Sequence, residues 1–469
     1  MAPSFRDEGH LIVYPGSQRT LIRFGLEDSI TPPTYSIPTK VYKNPSDERL
    51  FKASPPDGVE DPERYAVYPI KKGEIVNVDA LNFLFKSIVK SVIRDRPLIL
   101  LDSISFTLVQ SSQKWSPSAI ETITNYVFEV LQLAAFAIVP SALCSMFAFG
   151  SFPNACVIDV GFEKAEISPI VDFQVYAPAT VFVNEGGNSI NEKLQRLLPN
   201  LTAAQIETLK KSPIFEHLSE EDAKASFFSV EDLLDDKKGK ESEDEGVLDI
   251  AAIVTSDKPT REILAEKERQ KKQKGKKHEE LKSNSELETN SFIDDQGNSI
   301  EVGKERFQGC GELIDSISNA IYKALSKVPD VKRRQKCYDN LVICGHTTAI
   351  RGFKEELLVK LYSKFSVGTD LDKLGKSQQN QDQQGAAFRN ESSSLIDEIS
   401  LAQAPKRIKV VPKPEYFSTW KKVGLEDCAF LGGEIMCRQI FGGSGNSELY
   451  LSKEEYYDKG PMGIWHVKL

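Results

Sequence analysis

Short apolar runs that end on glycine punctuate the first third of the chain. Leu11-Ile12-Val13-Tyr14-Pro15-Gly16-Ser17 and Cys156-Val157-Ile158-Asp159-Val160-Gly161-Phe162-Glu163 each read as a buried strand breaking into a tight turn. Glycine there lets backbone N–H groups face an anion, so both turns are candidate phosphate loops. Pro97-Leu98-Ile99-Leu100-Leu101 predicts a further strand, and 116–132 a helix. After Gly186-Gly187-Asn188, the spacing of Ile190, Leu194, Leu197 and Leu198 gives a helix one apolar face. Strands alternating with helices predict an α/β fold with a mostly parallel or mixed sheet.

The pattern changes after Pro213. Glu231-Asp232-Leu233-Leu234-Asp235-Asp236, Glu241-Ser242-Glu243-Asp244-Glu245 and a basic run from Lys271 to Lys277 carry charge with little apolar content. Such blocks cannot bury enough surface to order themselves, so 219–290 is expected to be a disordered insertion. A second, 366–404, holds the low-complexity run Gln378-Gln379-Asn380-Gln381-Asp382-Gln383-Gln384. Between them Arg306-Phe307-Gln308-Gly309-Cys310 opens an amphipathic stretch through Leu313, Ile317 and Ile321. The strand Leu341-Val342-Ile343-Cys344 and Gly345-His346-Thr347-Thr348-Ala349-Ile350-Arg351-Gly352 follow.

Composition narrows the function. The chain has 469 residues, 40% hydrophobic and 27% charged, which suits two or three globular domains. A net charge of −9 argues against broad binding to DNA phosphates. The seven cysteines are scattered, without Cys-x-x-Cys spacing, and read as buried free thiols in a reducing compartment. The five histidines do not cluster with carboxylates, so no metal site is expected. No run is long and apolar enough to span a bilayer, and no membrane partner is expected.

The two strand–glycine turns and the later Gly345-His346-Thr347-Thr348 resemble, in order and spacing, the nucleotide-cleft motifs of actin and the actin-related proteins. Arg407-Ile408-Lys409-Val410-Val411, where the resemblance implies a strand, Tyr416-Phe417-Ser418-Thr419-Trp420, Leu431-Gly432-Gly433 and Ser452-Lys453-Glu454-Glu455-Tyr456 extend it towards the C-terminus. It implies the actin-like fold, two duplicated ribonuclease-H-like α/β domains around a central cleft. The expected division is 1–160 for the first domain, 161–405 for the second, with both insertions, and 406–469 for a segment returning to the first. The vestigial nucleotide cleft would comprise Gly16, Ser17, Arg23, Asp159, Gly161, Gly345, Thr347 and Thr348.

Departures from the family pattern argue against catalysis. Tyr14 stands where the resemblance implies a carboxylate organising the metal's water shell, and Pro15 removes an N–H. Phe162 and Glu163 replace an Asp-Gly pair, and Ser141 replaces the glutamine that orients water. Phosphoryl transfer rests on positioning and charge stabilisation, so no ATPase is expected, and ATP binding should be weak or absent. The glycines alone are also consistent with plain tight turns.

Tyr14-Pro15-Gly16-Ser17, Leu209-Lys210-Lys211-Ser212-Pro213-Ile214-Phe215-Glu216 and Arg306-Phe307-Gln308-Gly309-Cys310 resemble the ninth class of actin-related proteins, fungal subunits of the SWI/SNF and RSC chromatin remodellers. That resemblance implies a nuclear, non-catalytic subunit paired with a seventh-class actin-related protein. Both would dock on the helicase-SANT-associated helix of the remodeller ATPase among other remodeller subunits, meeting nucleosomes indirectly. The groove for that helix would be lined by residues near Phe147, Gly150, Met436 and Ile440. A nucleotide-binding but non-hydrolysing switch is the alternative, and a self-assembling filament protein is a third.

Overall fold

The computed structural model describes residues 9–27, 29–56, 58, 61–218, 284, 287–365, 405–442 and 447–468. The charge runs between 231 and 277 and the glutamine-rich run lie outside the described residues.

The strand His10–Pro15 is almost wholly buried, as an apolar run covered on both faces should be. It pairs antiparallel with Arg19–Phe24 across the Gly16 turn and parallel with Ser105–Gln110. The completed six-stranded sheet runs Leu451–Ser452, Ala135–Pro140, Ser105–Gln110, His10–Pro15, Arg19–Phe24, Tyr35–Pro38. One face is covered by the helices Val78–Asp95 and Pro117–Glu129, whose Phe85, Ile88, Ile123 and Val127 pack with Leu11, Val13 and Phe106. Pro117–Glu129 starts where expected because the Ser116 side chain accepts the Ala119 N–H and proline occupies its first turn.

In the second sheet Asn154–Val160 pairs antiparallel with Ala165–Val171 and parallel with Leu341–Cys344. Gln174–Val175 and Val181–Val183 extend it, both against Ala165–Val171. Its outer face packs on Gly311–Ser326 and Phe353–Phe365 through Leu313, Ile317, Ile321 and Leu357.

Between the sheets lie the helices Ser141–Phe149 and Cys428–Phe441. One cluster joins them to Val109, Ala137 and Val139 of the first sheet and to Ala155, Val157 and Val342 of the second. The helices touch at Gly432, where an added Cβ would stand 1.7 Å from the Cys144 carbonyl oxygen. Only hydrogen fits there.

Two expectations are corrected. Residues 97–101 form no strand: Leu98 and Leu100 are exposed, and Leu101–Ser103 is a short 3-10 turn. Pro97 lacks an N–H for a ladder, and the strand forms at Ser105–Gln110, where both faces are buried. Residues 407–411 contribute only an isolated bridge between Val410 and Leu341. Within the expected first insertion, Asn284 is folded against the second lobe, donating to the Ile214 carbonyl and the Glu216 carboxylate at 2.8 Å each. The fully buried Arg306 guanidinium donates to the carbonyls of Asn284, Leu287 and Gly303.

Candidate functional site

Each sheet opens with the same device. The Gly16 N–H donates to the Arg19 carbonyl at 2.9 Å, and the Gly161 N–H donates to the Lys164 carbonyl at 2.9 Å. A glycine at one end of each turn and a cation three residues later thus face each other across a cavity of about 640 Å³. That volume lies within the range of small-molecule sites.

Of the residues expected at a nucleotide cleft, Gly16, Ser17, Asp159, Gly161, Gly345 and Thr347 line this cavity, as do Tyr14, Phe162 and Glu163. Gly345 has φ of 93°, and a Cβ there would meet the Val160 carbonyl oxygen at 2.4 Å. The loop hydroxyls are turned onto backbone: Thr347 Oγ1 donates to the Gly161 carbonyl at 2.9 Å and Thr348 Oγ1 to the Gly345 carbonyl at 2.8 Å. Thr348, Pro15 and Ser141 are buried and are not among the lining residues.

Arg23 is placed elsewhere. It is buried beneath the first sheet, donates to the Thr31 hydroxyl and the Pro32 carbonyl, and lies 3.7 Å from the Glu434 carboxylate. Leu21 and Arg19, from the same strand, reach the cavity instead.

The ionisable groups that matter most here were not singled out from the sequence. Lys164 Nζ lies 2.6 Å from Glu166 Oε2, and both side chains are nearly buried. Burial alone would lower the lysine's pKa, but Glu166 and Asp159 beside it raise it, so the ammonium is held charged. Burial pushes the Asp159 carboxyl above its ordinary value, against the pull of Lys164. Arg19 Nη2 lies 2.8 Å from both oxygens of Asp427 and also contacts His346. Burial would raise the pKa of Asp427, but His346 and Arg19 together hold it below the usual carboxylate range.

Lys210 sits over the Phe162 ring at 5.4 Å and donates to Glu207 at 2.7 Å and to the Gly187 carbonyl at 3.1 Å. Burial lowers its pKa despite Glu207. Lys211 lies 3.1 Å from Glu207, and Arg351 lies 3.8 Å from Glu216. Every cation that lines the cavity therefore has an acidic partner. A signal for two of them was present in the sequence, as Gly-x-x-Arg at 16–19 and Gly-x-x-Lys at 161–164. Lys164, just before the strand Ala165–Val171, and Glu166 within it are two apart, the spacing that puts side chains on one face of extended backbone.

The expected groove residues separate by depth. Met436 and Ile440 are core residues, packed with Met146 between the sheets. Phe147 and Gly150 are half-buried, and the Phe147 ring stacks on the exposed Phe173 at 6.5 Å between centroids. Phe173 and Asp172 both have positive φ, 64° and 53°, in a tight turn that holds the ring outward. Among the described residues no group of histidine, cysteine and acidic side chains could hold a metal ion, and no helix is long and apolar enough to cross a membrane.

Comparison with known proteins agrees with this architecture. The chain is 27% identical to the SWI/SNF and RSC complexes subunit arp9 of Schizosaccharomyces pombe over an alignment of 546 positions, covering 99% of this chain and 100% of that protein. A shorter match, 25% identical over 93 residues, covers 20% of this chain and 22% of the subunit arp42 of the same complexes in that yeast. Glycine turns at the mouths of two sheets, a cavity between them and a family model named Actin that matches residues 6–388 lead to one conclusion: this chain belongs to the actin family.

Proposed function

We propose that this chain is a non-catalytic, actin-related subunit of an ATP-dependent chromatin-remodelling complex and acts in the nucleus. The observation that carries the reading is the full-length similarity to a SWI/SNF and RSC subunit in a chain whose cleft cations are already paired with its own carboxylates. The donor set does not fit a metal–triphosphate. A triphosphate would have to displace Asp427 from Arg19 or Glu166 from Lys164, and Glu163 adds a further negative charge at the cavity wall. Tyr14 offers a phenol whose pKa burial and Asp159 raise, so it contributes no carboxylate towards a metal.

On this reading the chain pairs with a second actin-related protein of the seventh class and docks on the helicase-SANT-associated helix of the ATPase. The Phe147–Phe173 stack supplies an aromatic surface beside the expected groove. Two measurements test it. Purified protein with Mg-ATP should release phosphate no faster than a protein-free control. A tagged copy in nuclear extract should recover a remodelling ATPase and a second actin-related protein in stoichiometric amounts. Recovery of cytoskeletal partners alone, or sustained turnover of ATP, would overturn it. Only the volume of the cavity speaks for the second reading, a switch that binds nucleotide without cleaving it, and a rise in melting temperature with Mg-ATP would support that instead.

A further inference from the structure

We infer that the cleft bridges itself: the contacts that hold its two lobes together are made by the chain's own side chains, with Lys164 and Arg19 supplying the positive charge, so closure needs neither metal nor nucleotide. Four side chains, Glu163, Glu166, Lys114 and Arg19, carry contacts across the gap. Glu163, on the second lobe's turn, accepts the Lys72 N–H of the first lobe at 2.7 Å. Glu166 accepts from Ser112 Oγ at 2.7 Å and from the Gln113 N–H at 3.1 Å, both on the loop that follows the strand Ser105–Gln110. Lys114 Nζ donates to Asn184 Oδ1 at 2.8 Å. Arg19 reaches His346 on the second lobe and Asp427 beside it.

The charges are placed for this role. Glu166 and Asp159 put two carboxylates behind the second turn, and the Lys164 ammonium, held charged, lies beside both. It supplies locally what a bound cation would supply. The first lobe is shaped to admit it. Gly73, with φ of 80°, lies so close to the Lys164 stem that an added Cβ would stand 2.5 Å from Cδ. Glu163, one residue earlier, lines the same cavity and accepts from the Lys72 amide. A carboxylate accepting a backbone N–H is a charge-assisted contact, stronger than its neutral counterpart.

The bridge is independent of which partners the chain holds, and amide exchange on the full-length protein tests it apart from them. The Lys72 and Gln113 amides should be protected without nucleotide, and millimolar Mg-ATP should leave them unchanged. Glu163→Ala should speed exchange at Lys72 roughly ten-fold or more, with the amides of Ser105–Gln110 unchanged as a measure of intact folding. Unprotected Lys72 and Gln113 that gain protection only with Mg-ATP would overturn the inference, even if Glu163→Ala fails to fold. So would a Lys72 amide indifferent to Glu163→Ala. Either result would leave the remodeller reading to be judged by its partners.

Discussion

At the scale of single residues, the decisive groups are the two cations that follow the glycine turns. Gly16 and Gly161 could be read from sequence because a turn of that kind is a local property. The partners of Arg19 could not, since Asp427 lies 408 positions away and only the fold brings the two to 2.8 Å. Arg23 was expected in the cleft from the family resemblance, yet the strand carries it past the cavity to Thr31 and Pro32.

The Arg19–Asp427 contact has a definite pH signature. Asp427's folded pKa is depressed, so the pair contributes stability above the ordinary carboxylate value of about 3.9. That contribution is lost as pH falls through the lower folded value. Arg19→Met should therefore cost about 0.5–1 kcal/mol near neutrality, a modest amount because the arginine is partly solvated. The difference in melting temperature from the native chain should narrow below about pH 4. An equal deficit at pH 3 and pH 7 would mean the side chain acts through packing instead.

At the scale of elements, periodicity located the helices more faithfully than apolar content located the strands. The helix Gly187–Leu197 buries Ile190 and Leu194 of the expected face, but Leu197 is exposed and Leu198 lies past its end; Pro117–Glu129 begins at its serine cap. The run at 97–101 misled because four consecutive aliphatic residues look the same in a buried strand and in an exposed loop. What separates them is the neighbouring sheet, which sequence does not display. The contact between Ser141–Phe149 and Cys428–Phe441 is likewise invisible until the helices are seen to touch. Gly432→Ala should force them apart and destabilise the chain by about 2 kcal/mol or more in urea unfolding. A change within about 0.5 kcal/mol would show that the pair can separate without penalty.

At the scale of the whole molecule, the family resemblance made the two-sheet plan legible, whereas the internal neutralisation of the cleft emerged only from side-chain geometry. All seven cysteines are buried, and none forms a disulfide. Burial pushes Cys310 and Cys337 up to about 12, which leaves almost no thiolate at neutral pH. A maleimide reagent should accordingly label the native chain slowly and all seven positions together in denaturant. Rapid labelling of one cysteine under native conditions would reveal a local opening. The shared helix Ser141–Phe149 has a mechanical consequence as well. It packs against both sheets, while hydrogen bonds from Glu163 and Glu166 tie them again across the cleft. A body tied at two separate places resists torque between its halves. A load applied to one lobe is then delivered to the other as through a rigid strut.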